Sequence, residues 1–81
     1  MTLGFKYEGI LLNVQCKGND TLKSVFEKYC TKAQKNNPTF YFNGKKIIGD
    51  DQNKTLVQYG VPNFGVFDVV FSDYVIGAKI Y

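Results

Sequence analysis

The sequence predicts a single α+β domain in which one mixed sheet packs against one helix. Apolar residues recur at the helical period over residues 22–33, and this segment lies between two predicted hairpins, at residues 3–16 and 39–48. A further alternating run, at residues 66–71, completes the sheet. Since one apolar helical stripe can cover one face of a sheet, two layers suffice for a chain of 81 residues.

The first half of the chain predicts a hairpin followed by the helix. Apolar residues alternate over residues 3–7, and Gly9 supplies the turn into the second strand. Asp20 or Thr21 offers the helix N-cap, without a capping box, and the Asn-Asn-Pro of residues 36–38 ends the helix. The helical stripe consists of Leu22, Val25, Phe26, Tyr29, Cys30 and Ala33.

The second half predicts another hairpin. Asn43-Gly44 is the dipeptide that a two-residue type I′ turn favours, because both central residues need a positive φ. It joins a strand at Thr39–Phe42 to a short strand at residues 45–48. A polar loop, a turn of helix within residues 55–61 and the last strand at residues 66–71 follow.

This order of elements resembles the ubiquitin-like β-grasp family over residues 3–71. The resemblance rests on the order ββαββ, helical turn, β, and on the hairpin NGKK followed by KTLVQYGV. It implies a domain at residues 1–72 and a tail or the start of a linker at residues 73–81. Domains of this family usually act by being bound, so we expect a non-catalytic protein-interaction module, in a larger protein or in the ubiquitin-related pathway.

The resemblance also implies where a partner binds. Ubiquitin meets most of its receptors with one sheet face, centred on an isoleucine, a histidine and a valine. Tyr41, Asp68 and Val70 take these three places here, and Gly44-Lys45 match the adjoining hairpin. The expected partner-binding residues are therefore Tyr41, Asp68, Val70, Gly44, Lys45 and Lys6, with the two lysines at the edges.

The departure at Asp68 predicts a dedicated receptor. A receptor built for ubiquitin would have to desolvate this carboxylate against apolar groups, which is costly without a partner charge. We expect a receptor that offers Lys or Arg to Asp68 and an apolar pocket to Tyr41. The alternative is that Tyr41 and Val70 are only strand-forming residues on a solvated face.

A second surface is the groove between the second strand and the helix. Small ubiquitin-related modifiers accept an additional strand from a partner at this edge. The resemblance places Leu11, Asn13 and Gln15 toward the groove, with helix lysines nearby.

Two other functions stay open. Conjugated ubiquitin-like proteins end in Gly-Gly after processing, whereas Gly77 is the single glycine of this tail. A modifier conjugated through Gly77 after removal of residues 78–81 is one alternative. A Ras-association or Phox-Bem adaptor is the other, although Asp50-Asp51 falls short of the Phox-Bem acidic motif.

The composition argues against several other classes. The chain has no histidine, so neither a Ser-His nor a Cys-His pair can form, and we expect no enzyme and no cofactor. Cys16 and Cys30 form no CxxC motif, which predicts buried free thiols and no metal site. Net charge is +3, with lysine and no arginine, which argues against nucleic-acid binding. No apolar run is long enough to span a membrane and no secretory signal is found, so we expect a protein of the cytosol or nucleus. We also expect it to be a monomer.

Overall fold

The computed structural model describes residues 1–35 and 38–71, which form a five-stranded mixed sheet packed against one main helix. The predicted α+β class is confirmed, and the arrangement is compatible with a ubiquitin-like β-grasp fold. The proposed tail at residues 73–81 lies outside the described residues. The strands are β1 (Thr2–Tyr7), β2 (Ile10–Gln15), β3 (Thr39–Phe42), β4 (Lys45–Lys46) and β5 (Val66–Val70), and the helices are α1 (Leu22–Ala33) and α2 (Leu56–Tyr59).

The sheet has the strand order β2-β1-β5-β3-β4. The first strand, β1, pairs in parallel with the last strand, β5, and the other three pairings are antiparallel. β1 and β5 therefore lie in the interior of the sheet, and β2 and β4 are its two edges. The long connection through α1 crosses the sheet, from the edge strand β2 to β3, which lies beside the other edge strand, β4.

Both hairpins turn through two residues with positive φ. Asn43 and Gly44 have φ of 54° and 78°, as the Asn-Gly signature predicts for a type I′ turn. In the first hairpin Glu8 joins Gly9 in this conformation, with φ of 50° and 81°. The sequence indicated only the glycine of that pair, since glutamate rarely adopts a positive φ.

The segment after β4 is more regular than the sequence predicts. β4 ends at Lys46, although the next N–H, that of Ile47, still donates to the Phe40 carbonyl at 2.9 Å. The predicted polar loop contains a 3₁₀ helix at Gly49–Asn53. An ion pair of 3.2 Å between Lys54 and Asp51, three residues apart, stabilises this turn.

The main helix begins where the sequence indicates and ends earlier. Thr21, one of the two predicted N-caps, accepts a hydrogen bond from the Ser24 N–H at 3.1 Å. The helix ends at Ala33, and Gln34, with a φ of 59°, takes the left-handed conformation ahead of the Asn-Asn-Pro that was expected to end the helix. Residues 36 and 37 themselves lie outside the described residues.

The starts of the two helices are joined to each other. Thr21 and Thr55, the N-caps of α1 and α2, form an isolated antiparallel bridge. The Leu22 N–H donates to the Lys54 carbonyl, and the Leu56 N–H donates to the Asp20 carbonyl, both at 2.9 Å. The first N–H of each helix has no intrahelical partner, and it is satisfied here by the carbonyl that precedes the N-cap of the other helix.

The core lies between α1 and the inner face of the sheet. In the predicted helical stripe Leu22, Val25, Phe26 and Tyr29 are buried, whereas Cys30 and Ala33 at its end are half-buried. Cys16 and Cys30 are free thiols, the first buried and the second only half-buried. The buried residues are Leu3, Phe5, Val14, Cys16, Leu22, Val25, Phe26, Tyr29, Phe40, Ile47, Leu56, Val61, Phe67 and Val69.

Truncation of this core should strongly destabilise the domain. We expect Leu56→Ala and Phe67→Ala each to lower the free energy of unfolding by about 2–5 kcal/mol, because both side chains are fully buried. Val57→Ala is the matched control, since Val57 follows Leu56 but is 71% exposed. Urea unfolding would measure all three variants, and an equal loss in Val57→Ala would contradict the assigned core.

The loop before α1 should make stability depend on acid pH. The backbone N–H of Lys17 donates to the Asp20 carboxylate at 2.9 Å, and this bond, with the nearby Lys28 ammonium, lowers the pKa of Asp20. A lowered carboxyl pKa adds stability above the unfolded-state value, about 3.9, and this stability is lost as pH falls through the lower folded-state value.

Asp20→Asn should therefore weaken the acid dependence of unfolding below about pH 4. Urea midpoints measured between neutral pH and pH 2 would test this expectation. Asp50→Asn, an exposed change on the 3₁₀ helix, is the control. An Asp20→Asn profile parallel to that of the unmodified chain would contradict the assignment.

Candidate protein-binding surface

The sheet has one face that the helix does not cover, and its members follow from the strand register. Residues that face each other on neighbouring strands lie on the same side of a sheet. Buried residues such as Phe5, Phe40 and Phe67 define the inner side. We call the opposite side the outer face; it carries Thr2, Gly4, Lys6, Leu11, Asn13, Gln15, Thr39, Tyr41, Lys46, Val66, Asp68 and Val70.

Five of these residues form a row across all five strands. Lys6 lies opposite Leu11 on one side and Asp68 on the other, and Asp68 lies opposite Tyr41. Tyr41 in turn lies opposite Lys46 on the edge strand β4. The row therefore reads apolar, positive, negative, aromatic, positive across the sheet, and we call it the central row.

Three predicted site residues meet on the outer face. Tyr41 and Asp68 are direct partners, and Val70, opposite Thr39, is the diagonal neighbour of Tyr41. Asp68 is exposed, Val70 is 41% exposed, and Tyr41 is half-buried. The structure thus confirms that these three side chains share one accessible face.

Of the two predicted edge lysines, Lys45 lies on the edge strand β4 as expected, but on the opposite face from Tyr41, and Lys6 does not lie at an edge. Lys6 is on β1, one strand inside the edge, so its predicted edge position is wrong. Lys45 lies opposite Phe42, whose ring packs toward the core, so Lys45 is on the inner side of the sheet. The two-residue turn at Asn43-Gly44 fixes this register, and it is Lys46 that shares the outer face with Tyr41.

The predicted groove residues also lie on the outer face. Leu11, Asn13 and Gln15 are the partners of Lys6, Gly4 and Thr2, and so point away from α1. This correction follows from the period of two, since Val14 and Cys16 of the same segment are buried toward the helix. The expectation of nearby helix lysines is confirmed, since Lys28 and Lys32 donate to backbone carbonyls of β2.

Val66 and Leu11 form an apolar contact region that the sequence analysis did not assign to a site. A Cβ added to Gly4 would lie 2.9 Å from a terminal methyl of Leu11 and 3.4 Å from one of Val66. The missing side chain of Gly4 therefore leaves room over β1 for both side chains. Leu11 is 54% and Val66 43% exposed, so the region is open to a partner.

Phe64 is an exposed aromatic side chain that also escaped the sequence analysis. It is 71% exposed and has a positive φ of 67°, which few non-glycine residues adopt. Its N–H donates to the Thr2 carbonyl at 2.7 Å, and the Thr2 N–H donates to the Asn63 side chain at 2.8 Å. The turn-forming residues around it, Pro62-Asn63 before and Gly65 after, are the sequence signal that indicates an exposed loop position.

The two cysteine thiols and the potential metal ligands of the described residues bear on the presence of a reactive or a metal site. Burial raises the pKa of the Cys16 and Cys30 thiols, which disfavours the reactive thiolate. Within residues 1–35 and 38–71, no group of three or more potential ligands could hold a metal ion. The helices in this part of the chain are too short or too polar to cross a membrane.

The sequence matches no family model and no curated protein.

Proposed function

We propose that this chain is a non-catalytic ubiquitin-like domain that recruits a protein partner through its outer face. The observation that carries the proposal is the combination of exposed apolar side chains with a charged row on one uncovered sheet face. Leu11, Val66 and Val70 supply the apolar contact area. Exposed apolar side chains that gather on one face with polar residues around them are typical of a protein-interaction site.

The charges of the central row define the chemistry of the partner. Lys6 lies opposite Asp68 on the neighbouring strand, so opposite charges alternate along the row. A partner therefore meets positive, negative and positive groups across Lys6, Asp68 and Lys46. We expect it to offer a cation to Asp68, carboxylates to the two lysines and an apolar pocket to Tyr41.

The adaptor alternative gains little support. Asp50 and Asp51 lie in the first turn of the 3₁₀ helix, and Asp51 forms an ion pair with Lys54, which follows that helix. A carboxylate engaged in this way is less available to a basic partner. The modifier alternative depends on Gly77, which lies outside the described residues.

Tyr41 should be the anchor of partner binding. Tyrosine gives a large contact area at low entropic cost, and we expect Tyr41→Ala to weaken binding by about 2 kcal/mol or more while the fold is kept. Asp68→His should impair binding of the cognate partner and improve binding to a generic ubiquitin receptor. Chemical-shift titration with a partner recovered by affinity capture would measure both effects.

A lysine pair provides the matched control for this experiment. Lys46→Ala removes a charge from the outer face, and Lys45→Ala removes the same charge from the inner side one residue away. Binding should weaken only in Lys46→Ala. If Tyr41→Ala has no effect and the shifts lie on α1 and the β2 edge, the outer face is not the recognition surface.

Gly77 should have no conjugating role. The tail around it is bulky and apolar and lacks the Gly-Gly of conjugated modifiers. After incubation with an extract of the source cell, the intact mass should show residues 78–81 still in place. Loss of these four residues, followed by a thioester with an activating enzyme, would instead establish the modifier function.

A further inference from the structure

The edge strand β2 has one row of backbone groups that the sheet does not use. β2 is the first strand of the sheet order, and no strand of the described residues lies outside it. The Cys16 N–H donates to the Met1 carbonyl at 2.9 Å, so the backbone groups of Cys16, and of every second residue before it along β2, point toward β1. Because alternate residues of an antiparallel strand point to opposite sides, the N–H and C=O groups of Leu11, Asn13 and Gln15 point away from β1.

Two lysines of α1 occupy part of this row. The Lys32 ammonium donates to the Asn13 carbonyl at 2.6 Å. The Lys28 ammonium donates to the Gln15 carbonyl at 3.4 Å and also lies 3.5 Å from the Asp20 carboxylate. Of the three outward carbonyls, those of Asn13 and Gln15 are thus already bonded to the chain's own cations.

We propose that the β2 edge is a strand-pairing site for a second copy of this chain, held closed by Lys28 and Lys32. Exposed edges pair readily with other strands, and charged side chains, lysine above all, are a common means of preventing it. Here the lysines come from the neighbouring helix, so the strand itself retains its pairing groups. The closed edge keeps the chain monomeric, and removal of the two charges opens it.

A second copy fits this edge because the strand is complementary to itself. If two copies of β2 meet antiparallel across a two-fold axis at Asn13, each Asn13 faces the other, and each Leu11 faces a Gln15. All outward donors of one copy then meet outward acceptors of the other. Leu11 and Ile10, which are exposed on the isolated chain, lie along the new contact.

The lysines oppose this pairing in two ways. The partner N–H groups need the same Asn13 and Gln15 carbonyls that Lys32 and Lys28 occupy. The two-fold arrangement also brings Lys28 and Lys32 of both copies to one interface, where like charges repel. Both effects disappear when the ammonium groups are replaced by uncharged side chains of similar length.

The test compares two double variants with the same loss of charge. K28M/K32M removes the edge lysines, and K23M/K45M removes two exposed lysines for which no contact with β2 is found in the described residues. Sedimentation velocity should show a monomer for the unmodified chain and for K23M/K45M. K28M/K32M should form a dimer at concentrations at least tenfold lower than those at which the unmodified chain or K23M/K45M associates.

A proline variant locates the contact. Asn13→Pro removes only an outward N–H, which an edge strand tolerates, and should return K28M/K32M to the monomer. Tyr41→Ala in the same background should leave the dimer intact, which separates this site from the outer face. Hydrogen exchange should show new protection of the Asn13 and Gln15 amides in K28M/K32M, provided that far-UV circular dichroism confirms the fold of each variant.

Three outcomes would overturn the proposal. A folded K28M/K32M that stays monomeric would show that the lysines do not control the edge. Equal dimerisation of K23M/K45M would attribute association to net charge alone. A dimer that Asn13→Pro leaves intact, or whose outward amides remain unprotected, would place the contact away from β2.

Discussion

The fold depends on the packing of aromatic rings around Phe5. This side chain is fully buried on β1, and its ring stacks on those of Tyr29 and Phe67 with centroid distances of 4.7 and 5.1 Å. The rings of Phe26 and Phe40 meet it edge-on at 6.2 and 5.7 Å. One side chain thus joins α1 to β1, β3 and β5, and edge-to-face and offset contacts of this kind add to the free energy of burial. The position of the outer face behind these strands follows from this cluster.

Much of this architecture is readable from local patterns. The helical stripe begins at Leu22 because Thr21 caps it, and Asn43-Gly44 dictates the turn because other residues resist positive φ. The surface is harder to read. A strand alternates between two faces, and an error of one position exchanges them. The resemblance to a ubiquitin-like hairpin puts Lys45 among the expected partner-binding residues, whereas its register partner Phe42 places it on the inner side of the sheet.

The β2 residues show the same limit in another form. Leu11 and Val14 are both apolar, and the sequence correctly places the second in the core. The structure shows that Leu11 faces outward, so its side chain cannot line a groove on the helix side of the sheet. Leu11 and Val66 both lie over Gly4, from the strands on either side of β1, and no pattern within one segment could predict this. Long-range neighbours of this kind are where a single sequence is least informative.

The parallel pairing of β1 with β5 also has a consequence for the growing polypeptide. Phe5 and Phe67 are register partners but lie 67 − 5 = 62 positions apart in the chain. At 5–20 residues per second, Phe5 waits roughly 3–12 s during synthesis before its partner exists. Over that interval the β1–β2 hairpin exposes one side of β1 together with the aromatic side chains that later enter the core. We therefore expect the nascent chain to be most prone to aggregation before β5 has been synthesised and can pair with β1.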